Sequence, residues 1–143
     1  MFDKILVPLD GSELAEAIVP HAEAVADRHQ AEVILLQVLS AKRVNPTRAG
    51  KERHGAKDYL MGVEQRLLEE GVNARYTIRH GSDPAAEIVD YAEANKVDLI
   101  AMSTHGRSGM SRWLFGSVAS RVLQGTGKPI LLIRSPGARI SQT

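Results

Sequence analysis

Five short apolar runs recur along the chain, and each of the first four is followed by a stretch whose apolar residues return at helical spacing. The runs are Lys4–Leu9, Glu32–Val38, Ala74–Arg79, Asp98–Ser103 and Pro129–Arg134. Leu14, Ala17, Ile18, Ala22 and Val25 form the first helical stripe, and Leu60, Val63, Leu67 and Leu68 the second, which Gly71 ends. Ile88, Val89 and Ala92 form the third, with Asp83 placed to cap the free amides and Pro84 at the first helical position. Val118, Ala119, Val122 and Leu123 form the fourth, closed by Gly125-Thr-Gly127. Strands that are apolar on both sides need cover on both faces, so the alternation calls for a parallel sheet between helix layers. With right-handed crossovers the expected fold is α/β: a doubly wound five-stranded parallel sheet, strand order 3-2-1-4-5, helices on both faces.

Two strands and one residue qualify this pattern. In the third run Ala74, Tyr76 and Ile78 alternate with Arg75, Thr77 and Arg79, as an edge strand with one apolar face should. The fifth run lies at the opposite edge, yet Ile130, Leu131, Leu132 and Ile133 are all apolar. A second copy of the chain is the simplest cover, so a homodimer through Ile130 to Ile133 is expected. Pro20 falls inside the first helical stripe, so that helix must kink or begin late.

The chain has 143 residues, enough for one domain spanning 1–143 with residues 135–143 as a polar tail. Cysteine is absent, which excludes disulfides, thiolate metal sites and cysteine nucleophiles. No apolar run approaches the roughly 18 residues of a membrane span, and Ile5 to Leu9 is too short for a secretory core, so a cytoplasmic protein is expected. A formal net charge of +1 gives nothing global to attract nucleic acid or membrane. Locally, Lys42, Arg43, Arg48, Lys51, Arg53 and Lys57 face a single acid, Glu52, making residues 42–57 carry +5 and the remainder −4. With Asn45, Pro46, Gly50 and Gly55 among them, these residues read as a solvated connection, a polyanion-binding loop being the alternative.

In the expected strand order the winding reverses between strands one and four, and ligands bind outside the carboxyl ends at such a point. Those ends carry Asp10-Gly11-Ser12 and Ser103-Thr-His-Gly-Arg-Ser-Gly109, with Gly116-Ser117 opening the next helix. Small residues there admit close backbone approach, and free amides at a helix start attract an anion, most often phosphate. A side chain at Gly116 would on this reading fill the phosphate space. The same glycines are also ordinary turn chemistry, and neither G-x-x-x-x-G-K-[ST] nor G-x-G-x-x-G occurs. The residues by themselves therefore point to an anion site with its ligand undetermined.

The opening I-L-V-P-L-D-G-S, the ending L-L-Q-V of the second run, D-L-I-A-M-S-T-H-G-R-S-G and G-S-V-A-S-R-V-L…K-P-I-L-L-I-R together resemble the universal stress protein family in its ATP-binding branch. The likeness runs from about Phe2 to Arg134. The family pattern G-2x-G-9x-G-[ST] falls on Ser103, Gly106, Gly116 and Ser117, with serine in place of the first glycine. What the resemblance implies is a stress-response regulatory module that holds ATP, or AMP, with Mg²⁺ and works as a homodimer with a protein partner. Pro8, Leu9, Asp10 and Val38 would line the adenosine side, with Met102 below. Ser103, Gly106, Arg107, Gly109, Gly116, Ser117 and Val118 would hold ribose and phosphates. Asp10 would meet a ribose hydroxyl or Mg²⁺, unless it only caps the helix starting near Ser12. Family members without the glycine pattern are ligand-free scaffolds, the alternative function.

No general base, nucleophile and orienting group converge by spacing, and no lysine or arginine is aimed at a γ-phosphate. No catalytic residue is therefore assigned, although Thr104, Ser108 and Ser111 are hydroxyls available for the slow hydrolysis or autophosphorylation known in some relatives. His21, His29, His54 and His80 show no ligand spacing, and His105 either contacts ligand or shapes the loop. Trp113 and Phe115 read as packing over the loop or at a partner surface.

Overall fold

The computed structural model describes residues 1–40, 46–105 and 116–134. Five parallel strands, β1 (Lys4–Pro8), β2 (Glu32–Leu39), β3 (Ala74–His80), β4 (Leu99–Ser103) and β5 (Ile130–Ile133), form one sheet in the order β3-β2-β1-β4-β5. The helices are α1 (Glu13–Glu16), α2 (Val19–His29), α3 (Pro46–Glu69), α4 (Pro84–Ala94) and α5 (Ser117–Gly125). Strand alternation splits the core in two. Ile5, Val7, Val33, Leu35, Leu99 and Ala101 pack with Ala15, Ile18, Ala22, Leu60, Val63 and Leu67 of α1, α2, α3 and the α1–α2 junction. Leu6, Ile34, Leu36, Ile100 and Met102 pack on the other face with Ile88, Tyr91, Ala92, Ala119 and Val122 of α4 and α5. A fully buried side chain of this size contributes roughly 1.5–3 kcal/mol.

The first helical stripe divides where Pro20 requires. Ser12 caps α1, its Oγ accepting the Ala15 amide at 3.1 Å. A new helix then starts at Val19, so Pro20 falls in its first turn, where a missing N–H leaves no bond unmade. β3 buries Ala74 and half-buries Tyr76 and Ile78 against the first core, while the Arg79 guanidinium lies 5.0 Å from the centre of the Tyr91 ring on the other face. Tyr59 of α3 donates to Glu16 Oε1 at 3.0 Å, and Arg66 does the same, which ties α3 to α1. Burial and the neighbouring Glu16 carboxylate push the Tyr59 hydroxyl pKa up. No helix of the described residues is long and apolar enough to cross a membrane.

The basic segment corrects one expectation. It is not a connection up to Lys57, because α3 already begins at Pro46 and places Arg48, Lys51, Arg53 and Lys57 on its exposed surface. Proline at the first position supplies a helical φ, and Arg48 pairs with Glu52 one turn on at 3.4 Å. Gly50 and Gly55 have no atom near where a Cβ would sit, so they are exposed helical glycines rather than breaks. Lys42, Arg43 and the tail at 135–143 lie outside the described residues. Leu68 and Leu123 are 44% and 45% exposed, so the stripes of α3 and α5 are each one residue narrower than their apolar pattern.

Asp98 stands just before β4 and fastens the start of the central strand, β1. Its Oδ2 accepts the amides of Asp3 and Lys4, each at 2.9 Å, and these bonds to β1 hold its carboxyl below the usual range near 3.9. The carboxylate therefore contributes stability that is complete above about pH 5 and lost as pH falls through the lowered folded-state value. Urea titrations from pH 6 to pH 3 are expected to show Asp98→Asn less stable than the parent at pH 6 by about 1 kcal/mol, with the difference narrowing toward pH 3.

Candidate functional site

A cavity of about 330 Å³ opens where the crossovers from β1 and β4 leave to opposite faces. Its position follows from a backbone detail. The Leu9 amide donates to Leu36 O at 2.8 Å on the β2 side. Strand alternation then turns Pro8 toward β4, where it has no N–H to give. The ladder between β1 and β4 covers Ile5↔Leu99 and Leu6↔Ile100 and lacks the next rung. The two strands end with a crevice between them.

Residues named from the sequence meet in that crevice. Pro8, Leu9 and Asp10 come from β1 and its turn, Val38 from β2, and Met102 and Ser103 from β4. Gly116, Ser117 and Val118 come from the first turn of α5. Gly106, Arg107 and Gly109 lie outside the described residues, as do Ser108, Ser111, Trp113 and Phe115. Five residues that the sequence argument did not assign to the site also line the cavity: Ala15, Leu36, Pro84, Ile88 and Ala119. Leu36 was within reach, since a strand with Val38 facing the cavity presents its i−2 neighbour on the same side. Pro84 and Ile88 were legible only as a helix start and a core stripe.

The first turn is built by Asp10. Its Oδ1 accepts both the Ser12 amide at 2.9 Å and the Ser12 hydroxyl at 2.6 Å, while Ser12 Oγ caps α1. Gly11 between them has φ +87°, a left-handed conformation that glycine adopts without cost. Asp10 thus shapes the turn, and Ser12 is the residue that caps the helix.

Ser103, which stands where the family pattern has glycine, is 5% exposed and donates its hydroxyl to Ala15 O at 3.0 Å. Positive φ among described non-glycine residues occurs at Gln30 and Lys96, so Ser103 carries no backbone strain. The serine side chain serves as a tie between β4 and α1. Thr104 and His105 follow it, both buried and both lining the cavity, with Thr104 Oγ1 and His105 Nδ1 3.2 Å apart.

Three helices contribute to the cavity, and their N-termini differ. Ser12 caps α1, and Asp83 caps α4 by accepting the Ala86 amide at 3.3 Å. Gly116 gives α5 no side-chain cap. The first amides of α5 therefore meet the cavity with the positive end of the helix dipole behind them. Asp10 and His105 are the titratable residues among the described lining residues, and the rest of the lining is mainly aliphatic. An apolar slot ending on free amides suits a ligand with a flat apolar part and an anionic end.

Gly116 corrects the expectation that a side chain there would fill only ligand space. A Cβ would stand 2.9 Å from Thr104 O, to which the Gly116 amide itself donates at 2.6 Å. The glycine is required by the close junction of α5 with the end of β4. Gly116→Ala is expected to cost about 1–3 kcal/mol in chemical denaturation, because the backbone of Thr104 must give way.

The Universal stress protein family model matches residues 1–134. Universal stress protein MJ0531 of Methanocaldococcus jannaschii is 33% identical over 144 residues, covering 95% of this chain and 84% of that one. The solved structure of MJ0577 from the same organism superposes with a TM-score of 0.85 at 32% identity, over 94% of this chain and 96% of that one. Two structures at 21% identity share the fold: a universal stress protein in complex with cAMP, TM-score 0.70 over 94% and 98% of the two chains, and one from Archaeoglobus fulgidus in complex with dAMP, TM-score 0.73 over 93% and 98%. The chain belongs to the universal stress protein family.

Proposed function

We propose that the chain binds an adenine nucleotide, ATP foremost, at the crevice between β1 and β4, and acts as a homodimeric regulatory module of the stress response. The observation that carries this reading is a mainly aliphatic slot ending on the uncapped first turn of α5. A base fits between Pro8, Leu9, Val38 and Met102, with Asp10 within the same wall for a ribose hydroxyl. The amides around Gly116, Ser117 and Val118, beside Ser103, take the phosphates, and the family resemblance adds Gly106, Arg107 and Gly109 as further ribose and phosphate contacts. The family relatives that hold cAMP and dAMP support the choice of adenine. Mg²⁺ accompanying ATP would take its ligands mainly from phosphate and water, as is usual for this ion, since the described residues hold no cluster of three His, Asp or Glu side chains.

Isothermal titration is expected to show one ATP site per chain with Kd below about 100 µM, a binding free energy of about −5.5 kcal/mol or better. Mass spectrometry of heat-released ligand is expected to find ATP or AMP. A folded protein that takes up neither nucleotide at that concentration overturns the reading.

The dimer rests on β5. Ile130 to Ile133 are half-buried in the edge strand of the sheet, which pairs with β4 on one side. An apolar edge of this kind pairs with another strand unless covered, and two copies related by a two-fold axis cover each other. Sedimentation at micromolar concentration is expected to give a dimer, and Leu131→Lys a monomer. A monomeric parent protein removes the dimer and leaves the nucleotide site standing.

A further inference from the structure

We infer that the ion pair between Asp83 and Arg121 is a positioning pair that sets the width of the cavity mouth between α4 and α5; the inference rests on the nucleotide reading above. Arg121 Nη1 donates to Asp83 Oδ1 and Nη2 to Oδ2, both at 2.6 Å, a two-pronged fork that fixes direction as well as distance. Each partner sits beside the rim. Asp83 precedes Pro84, and Arg121 lies one turn after Ser117, both rim residues lining the cavity and exposed at its mouth.

The two helices are also in contact farther along. A Cβ at Gly125, the last residue of α5, would stand 3.5 Å from Val89 Cγ2, an ordinary packing distance. Packing at that end and the fork at the other together fix the angle between the helices. That angle decides how far the uncapped amides of α5 stand from Pro84 and Ile88 on the facing wall. Stability is a poor reason for the pair, because its side chains are 38% and 56% exposed and such pairs add little. Asp83 further joins the pair to the start of α4, since the same Oδ1 accepts the Ala86 amide.

The test uses Asp83→Asn, which keeps a capping oxygen and loses the charge, Arg121→Gln, and the double variant. Affinities for ATP and for adenosine are measured by calorimetry, and each unfolding midpoint is recorded. Each single change is expected to weaken both ligands alike, about threefold to fivefold, with midpoints within about 2 °C of the parent. The double variant is expected to be no weaker than either single one, because the two residues act as one unit. Loss of ATP affinity in Arg121→Gln alone, with adenosine unmoved, would make Arg121 a phosphate ligand and overturn the inference. Unchanged affinities overturn it too, as does weakening that scales with a lowered midpoint. A parent protein that binds neither ligand overturns the nucleotide reading itself, which distinguishes the two failures.

Discussion

The absent N–H of Pro8 is the constraint on which the rest of the site depends. β1 is the middle strand of the sheet, fully buried at Ile5, Leu6 and Val7 and hydrogen-bonded on both sides. A central strand tolerates proline poorly, because a rung is lost. Here the loss falls on the β4 side at the carboxyl end, where the crossovers already diverge. The lost rung costs little there, since the next residues leave the sheet anyway. What the chain gains is a crevice whose walls are backbone and aliphatic side chains.

Around that crevice the polar groups divide into those engaged within the protein and those facing the cavity. Asp10, Ser12 and Ser103 hold the turn after β1 and fasten α1 to β4. Asp83 caps α4 and binds Arg121. The amides at the start of α5 follow Gly116, which makes no side-chain cap. An anion meeting those amides would find them fixed in place by the Gly116–Thr104 contact, so little ordering is left to be done on binding. The hydroxyl of Ser103 shows how a departure from a family pattern is accommodated: the larger side chain turns to Ala15 O and leaves the strand geometry untouched.

Much of this was legible before any coordinates. Two-sided apolar runs required helices on both faces, the one-sided β3 identified an edge, and Pro20 announced a break that appears between α1 and α2. Local chemistry of that kind is read over a few residues. The start of α3 was not legible, because Gly50, Gly55 and a run of cations look the same in an exposed helix as in a loop. Asp10 reads from the sequence as a contact for ribose or Mg²⁺ or as a helix cap, and its geometry adds a further role, since the carboxylate builds the turn through Ser12.

The sequence by itself determined the strand order, the two-layer core and the end of the sheet where small residues gather, because periodicity and punctuation are properties of neighbours along the chain. Only the tertiary structure decided that Pro84 and Ile88 form a wall, that Gly116 is small for the sake of Thr104, and that Arg121 reaches Asp83. Those relations join residues distant in the sequence, and their distances exist only once the helices have packed on the sheet.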